Sequence, residues 1–311
     1  MQASAARAGM VGKAPCHADF LRINAASSLA FQLHRWLADG VETARAARYG
    51  LPSGTVSFLF TAPKEKNVLL GVLAPSTDGV GRDFPLAVFT ELPAPPAANR
   101  LALLPAAFRP FLTAGASLLR AAASMDLPEL TQRVERLPHP AQEDLGVAER
   151  HLRKVLAEKR GSELLDPLRR AGEVPGSPYY AFHTFRTACA GERHRQQTLA
   201  NVILECPLTP ALGPVAWLEL ATRLLRWPSA PPALAWCEDG APRLLLCLGA
   251  MAGDVFLHLA SPTHGGSRLW PLRTTRAAAI DQARQALSEN QRQLIDSPTT
   301  SLEELLQAMS R

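Results

Sequence analysis

No apolar run in this 311-residue chain approaches the roughly 18 residues that a membrane-spanning helix needs. The N-terminal stretch MQASAARAGMVGKAP also lacks the apolar core of a secretory signal. Both absences predict a soluble, cytoplasmic protein with no membrane insertion. The five cysteines, Cys16, Cys189, Cys206, Cys237 and Cys247, include no C-x-x-C pair and are odd in number. They read as reduced thiols, not a disulfide framework. The eight histidines form no H-E-x-x-H and no tight cluster with Cys or Asp, so no metal centre is expected. Gly12-Lys13 lacks the preceding glycine spacing of a phosphate-binding P-loop, and no G-x-S-x-G marks a hydrolase nucleophile turn. There is no internal repeat. Net charge is only +5, with a pI near 9.2, and the excess is spread along the chain. That balance suits an acidic partner surface and gives no argument for nucleic acid.

What is present is a globular composition: 47% hydrophobic and 20% charged, in a chain long enough to bury a core without staples. The chain is organised around residues 69–92, LLGVLAPSTDGVGRDFPLAVFTEL. Apolar runs at 68–74 and 84–92 read as buried strands, and the polar, glycine-bearing stretch 75–83 between them reads as a tight turn. Upstream, residues 11–22 read as a short strand and loop. A helix capped by Ser27 or Ser28 follows to about residue 49, with Leu29, Leu33, Trp36, Leu37, Val41 and Ala44 on one face and Arg35, Asp39, Glu42 and Arg45 opposite. Residues 55–61 read as a strand and 64–67 as a hairpin tip. Residues 93–99 (PAPPAAN) read as a stiff extended connector, 101–123 as a helix interrupted by Pro105 and Pro110, and 127–137 as a helix capped by Asp126.

Leu137-Pro138-His139-Pro140 marks an internal boundary. Residues 141–171 are charged and helical in pattern. Strands are expected at 179–189 and within 196–208, a helix at 214–226, and a strand pair at 234–238 and 243–248 around Asp239-Gly240. A helix at 256–260, a short apolar piece at 269–272 and terminal helices at 276–295 and 301–309 complete the chain. The expected division is 1–137, a helical charged insert or linker at 138–176, and a C-terminal α/β region at 177–311 packed on the first. Strands alternating with helices favour a layered α/β or α+β fold.

A charged trio, Asp78, Arg82 and Asp83, lies between two apolar strands, and Asp19 and Arg22 lie in the earlier loop. Buried charges must be paired. One reading is a charged pocket or partner anchor where the loops meet. The other is architectural: Asp78 caps the turn and Arg82 pairs with Asp19 or Asp83. Ser76 with Asp78 and His17 could be drawn as a hydrolytic triad, and Cys16-His17 as a thiol nucleophile, but neither has the required spacing. Trp36 falls on the helix's apolar face. Trp217, Trp227, Trp236 and Trp270 are core residues by default, or interface anchors.

Two segments carry a resemblance. In residues 11–22, VGKAPCHADFLR, Gly12, Lys13, Pro15, Asp19, Phe20 and Arg22 match the pattern G-K-x-P-x-x-G-D-F-x-x-R, with Ala18 where the pattern has Gly. The pattern G-x-x-x-P-S-x-D-x-V-G-R-x-F-P-L is complete in Gly71, Pro75, Ser76, Asp78, Val80, Gly81, Arg82, Phe84, Pro85 and Leu86. Both are similar to the type VI secretion-associated family TagF, also called ImpM. The resemblance implies a three-layer α/β/α sandwich with a mixed, largely antiparallel sheet. It also implies a post-translational repressor of the type VI secretion system. Such a protein opposes the threonine-phosphorylation pathway and is linked to the forkhead-associated scaffold protein. On that reading the chain is a binding protein with no cofactor, the alternatives being a hydrolase-like enzyme or a structural accessory subunit. Lys13, Asp19, Arg22, Ser76, Asp78 and Arg82 are then the expected partner- or ligand-binding residues, on loops that lie side by side.

Overall fold

The strand Asn67–Ala74 is buried at every position from Val68 to Ala74, so its sheet needs cover on both faces. The computed structural model describes residues 7–169, 177–194, 202–225 and 231–311. Among these, nine strands form one sheet: β1 (Gly9–Gly12), β2 (Leu21–Ile23), β3 (Val56–Phe60), β4 (Asn67–Ala74), β5 (Leu86–Pro93), β6 (Val202–Pro207), β7 (Ala233–Cys237), β8 (Arg243–Leu248) and β9 (Leu269–Pro271). Their order is β2-β1-β5-β4-β3-β7-β8-β6-β9. Every neighbouring pair is antiparallel except β6 with β9. The β3–β7 ladder, with Leu59 opposite Leu234 and Ser57 opposite Trp236, makes the sheet continuous across the two halves of the chain.

Alternation along β4 divides the core into two layers. Leu69 and Leu73 face the helix Ser28–Ala46, which buries Leu29, Leu33, Trp36, Leu37 and Val41 and packs on the helix Gly253–Ala260. Val68, Leu70 and Val72 face the other side, where helices Arg109–Ala121, Ser177–His194 and Val215–Leu225 contribute to the larger cluster. This is an α/β fold with helices on both faces of a mixed, mostly antiparallel sheet. Trp36 is core, as its helix face predicts, and its indole N–H donates to the Ala252 carbonyl at 3.0 Å.

Several elements differ from expectation. Residues 179–189, expected as a strand, lie in the helix Ser177–His194. Their aromatic and β-branched residues favour a strand locally, but the buried set Ala181, Phe182, Phe185, Ala188 and Cys189 has helical spacing, and both phenylalanines pack on Trp217. Residues 93–99 are not extended: Ala94–Asn99 is a short helix, with prolines in the first turn, where their missing N–H groups lose nothing. Pro105 and Pro110 each open a fresh segment, Leu104–Ala107 and Arg109–Ala121. The 276–295 helix is two, Ala277–Ala286 and Glu289–Asp296, because Ser288 and Gln291 form a capping box at the break. The 141–171 stretch holds Gln142–Glu158 and Gly161–Arg169, and its last two residues lie outside the described residues. So do the first residues of the 196–208 strand, and Trp227.

Gly12 fixes how β1 meets β5. Its φ is +129°, and a Cβ there would stand 2.1 Å from the Pro85 carbonyl oxygen and 2.9 Å from the Leu86 Cα. Neither backbone atom has room to retreat, since Gly12 and Leu86 are register partners. Gly12→Ala is therefore expected to lose about 3–5 kcal/mol, from overpacking plus a strained φ. Gly54→Ala, where a Cβ meets nothing within 4 Å, is expected to stay within about 0.5 kcal/mol of the parent. Chemical denaturation of both variants checks this, and equal losses would refute it.

Candidate functional site

The chain must reverse between the end of β4 and the start of β5, and residues 75–85 do so as an extension of the ladder. Thr77 bridges Asp83, the Phe84 N–H donates to the Ser76 carbonyl at 3.0 Å, and the Asp78 N–H to the Arg82 carbonyl at 3.1 Å. The tip closes through the Gly81 N–H on the Asp78 carbonyl at 3.0 Å, and Gly81 supplies the required φ of +84°. Within this turn the Asp78 side chain points inward and is buried.

That carboxylate gathers donors from both motif loops. Oδ1 accepts the Val80 and Arg82 backbone N–H groups at 3.1 and 2.8 Å. Oδ2 accepts Lys13 Nζ at 2.9 Å and Arg82 Nε at 2.6 Å. Lys13 arrives there because it follows Gly12 at the end of β1, beside the start of β5. Two further bonds join the loops: the Gly79 N–H to the His17 carbonyl at 2.9 Å, and Arg82 Nη2 to the Ala18 carbonyl at 2.7 Å. Arg45, on the long helix, donates Nη2 to the Asp83 carbonyl at 2.9 Å. Burial by itself would push the Asp78 carboxyl up. The Lys13 ammonium, the Arg82 amide and guanidinium and the Val80 amide outweigh it and hold the group well below the usual carboxylate range.

Outside this knot the loop carries an aromatic cluster. Lys13 Nζ stands 5.1 Å from the centre of the Phe20 ring, and Phe20 meets Phe84 and His34 edge-on at 4.9 and 4.7 Å. Burial and the Arg22 charge push the His34 imidazole pKa down. The Arg22 guanidinium lies 4.4 Å from the centre of the Phe31 ring. Phe20, Phe31 and Val80 are 41, 48 and 66% exposed, which is unusual for residues of this size and leaves apolar surface around the joined loops.

Of the residues singled out in the sequence, Lys13, Asp78 and Arg82 meet in one cluster. Asp19 does not join it: its Oδ1 accepts the Phe20 N–H at 2.7 Å and the side chain is exposed. The expected Arg82 pairing with Asp19 or Asp83 is replaced by Arg82–Asp78, because Asp78 is the buried carboxylate with an oxygen still open after two amides bind the other. Ser76 is half-buried, and its Oγ donates to the Thr77 carbonyl at 3.4 Å. His17 Nδ1 engages the backbone of Asp19, and burial pushes the Cys16 thiol up, away from a reactive thiolate. Ala18 takes no positive φ and contributes only its carbonyl, so its side chain in place of glycine leaves the turn intact. Phe31 escaped the sequence reading. It stands four residues before Arg35, on the helix face whose later members are charged, and a large apolar residue there was the available signal.

Residues 9–137 match the family described as TagF N-terminal domain, Type VI secretion system-associated. The chain carries the TagF domain of the TagF/ImpM family. Both motif loops lie inside the matched region, and their junction is thus a feature of the TagF domain. The crystal structure of PA0076 from Pseudomonas aeruginosa PAO1 is similar at 19% identity, covering 85% of this chain and 98% of that one with a TM-score of 0.49. No curated protein matches the chain. Among the described residues no group of three or more His, Cys, Asp or Glu is placed to hold a metal ion, and no single helix is long and apolar enough to cross a membrane.

The depressed Asp78 value gives a signed prediction for the TagF domain. A carboxyl whose folded pKa lies below its unfolded value stabilises the fold fully above the unfolded pKa, near 3.9, and loses that contribution as pH falls toward the folded value. Asp78→Asn should therefore melt below the parent by a constant margin from about pH 8 to pH 5, with the margin closing below about pH 4. A margin that persists unchanged to about pH 3 would remove the carboxylate from the account. Lys13→Met, which leaves the buried carboxylate with one cation instead of two, should cost about 3 kcal/mol by denaturant titration at neutral pH.

Proposed function

We propose that this protein is a post-translational negative regulator of the type VI secretion system that acts by binding, not by catalysis. Its partner on this reading is the forkhead-associated scaffold protein of the threonine-phosphorylation-controlled assembly pathway, met in the cytoplasm. The TagF domain supports the secretion-system context. One observation carries the mode of action: the Lys13–Asp78–Arg82 cluster locks two loops together, and around them Phe20, Phe31, Val80 and Arg22 stay exposed.

Aromatic and arginine side chains supply most of the energy of protein interfaces, and a surface already rigid before contact loses little entropy on docking. A typical interface hides about 800 Å² on each partner. Seated on the scaffold protein, a patch of that size would cover the face that assembly needs. Arg22 and Arg82 favour an acidic counterpart. Lys13 and Asp78 are positioning residues in this scheme, since burial keeps them from the partner.

The exposed residues permit a test free of folding loss. The double substitution Arg22→Glu with Val80→Asp should weaken capture of the scaffold protein by at least about tenfold while leaving Tm within about 2 °C of the parent. Deleting the gene in the native cell should raise secretion of a type VI marker. Secretion that stays at its original level would defeat the repressor reading. Capture that survives the double substitution would move the interface elsewhere.

A further inference from the structure

The helix Arg109–Ala121 lies tight on β4 and β5 because Gly115 gives it room: a Cβ there would stand 2.9 Å from Val72 Cγ1 and 2.7 Å from Val88 Cγ1. Beside this helix, over the register partners Ser57 on β3 and Trp236 on β7, the sheet is left under a hollow of about 240 Å³. That hollow continues at both ends. Toward the 75–85 turn it shares Thr55, Arg120 and Asp239 with a hollow of about 630 Å³. Toward the loop before the helix Val215–Leu225 it shares Pro105, Arg109, Glu238 and Asp239 with one of about 400 Å³. The three make one trough. Its far end is walled by Pro105, Pro210, Pro214 and Pro242, whose locked φ keeps that wall stiff.

The two long walls carry opposite charge. Arg109 and Arg120 lie on the helix side. Eleven residues make three turns, so both point the same way, about 16 Å apart. Glu238 and Asp239 lie opposite, on the β7–β8 turn, and Asp239 lines all three hollows. All four residues are exposed. The walls stand too far apart for these charges to bridge. Arg109, Glu238 and Asp239 make no side-chain hydrogen bond or ion pair among the described residues, and Arg120 reaches only Ser117 Oγ on its own helix, at 3.2 Å. Arg109 is also set against the field of its helix. It is the first residue, where the opening amides already present positive charge and an arginine is disfavoured. Nothing among the described residues offsets that placement.

We infer that this trough binds an extended segment of a partner protein. Two acidic side chains of the segment meet Arg109 and Arg120, and a lysine or arginine between them meets Glu238 and Asp239. Alternate side chains of an extended chain face the same way, and each residue advances about 3.3 Å. Acids four or six residues apart, roughly 13–20 Å, therefore span the two arginines, with the basic residue at an odd position between them on the opposite side. Charges matched at three points select for that pattern and reject segments of one sign. The trough reaches the 75–85 turn but includes none of Phe20, Arg22, Phe31 or Val80. The inference goes beyond the docking surface proposed above and does not rest on it.

Selection of a random dodecapeptide phage library on the immobilised full chain tests it. Enriched peptides should carry two acids four or six residues apart with a lysine or arginine between. The most enriched peptide, labelled with fluorescein, is then titrated by fluorescence polarisation. Arg109→Glu with Arg120→Glu should weaken it by at least about tenfold. A peptide with lysine in place of both acids should recover binding to that variant. Glu238→Lys with Asp239→Lys should weaken the original peptide as well. The four positions are exposed, and circular dichroism with Tm confirms that the variants fold. No enrichment, enrichment without the charge pattern, or binding that the arginine substitutions leave unmoved overturns the inference. Loss without recovery by the lysine peptide overturns the charge pairing and with it the proposal. Arg22→Glu with Val80→Asp should leave peptide binding unchanged, so failure here and failure of the motif-loop reading are told apart.

Discussion

The carboxylate of Asp78 is the point on which the two motif loops depend. Withdrawing a carboxylate from water is unfavourable unless cations and donors replace the lost hydration. Here the replacements come from opposite directions. Two backbone amides of its own turn take Oδ1, while Lys13 and Arg82 take Oδ2. Lys13 lies 65 residues earlier in the chain, so the ion pair is also a long-range tether. Arg82 makes it a three-way junction, because the same guanidinium that pairs with Asp78 also reaches the Ala18 carbonyl. Removing any member leaves a buried group without its partner, which costs more than the contact itself is worth.

The sheet brings these groups within reach. β1 pairs with β5 in a register that sets Gly12 opposite Leu86, and only a residue without a side chain fits against the Pro85 carbonyl. The next residue, Lys13, then arrives beside the 75–85 turn. The long helix Ser28–Ala46 steadies the same turn from one face of the sheet, through Arg45 on the Asp83 carbonyl, and is itself held by Gly40 against Phe256 and by the Trp36 indole on Ala252. Phe256 and Ala252 belong to the C-terminal half, so the geometry of the N-terminal loops depends on packing supplied by the far end of the chain.

The parts legible in the sequence were those whose cause is local. The β4–turn–β5 unit follows from two apolar runs around Asp, Gly and Pro, and the amphipathic helix from its 3.6-residue period. The misreadings came where two local signals conflicted. Tyr179, Tyr180, Phe182 and Phe185 favour a strand by type, yet the buried positions repeat as a helix, and burial against Trp217 decided it. Pro95 and Pro96 suggest an extended connector, yet proline is also suited to a first helical turn. The charged cluster was visible as crowding but not as pairing. Which carboxylate Arg82 meets depends on which is buried, and burial of Asp78 follows from the register of β1 on β5.

The distribution of bonds within the junction also ranks what remains for a partner. Arg82 is exposed, but its Nε is held by Asp78 and one Nη by Ala18, so only part of the guanidinium faces outward. Arg22 differs: it stacks on the Phe31 ring, makes no hydrogen bond among the described residues, and keeps its donor edge turned to solvent. A guanidinium stacked on an aromatic ring is partly desolvated and already oriented, so pairing it with an incoming carboxylate demands less reorganisation than recruiting a free lysine would. Phe20 and Val80 flank the joined loops as apolar surface that the core does not cover. The charges that fix the loops and the side chains that can contact a partner are therefore different sets. A change in the exposed set alters recognition alone, whereas a change in Lys13 or Asp78 alters the shape being recognised.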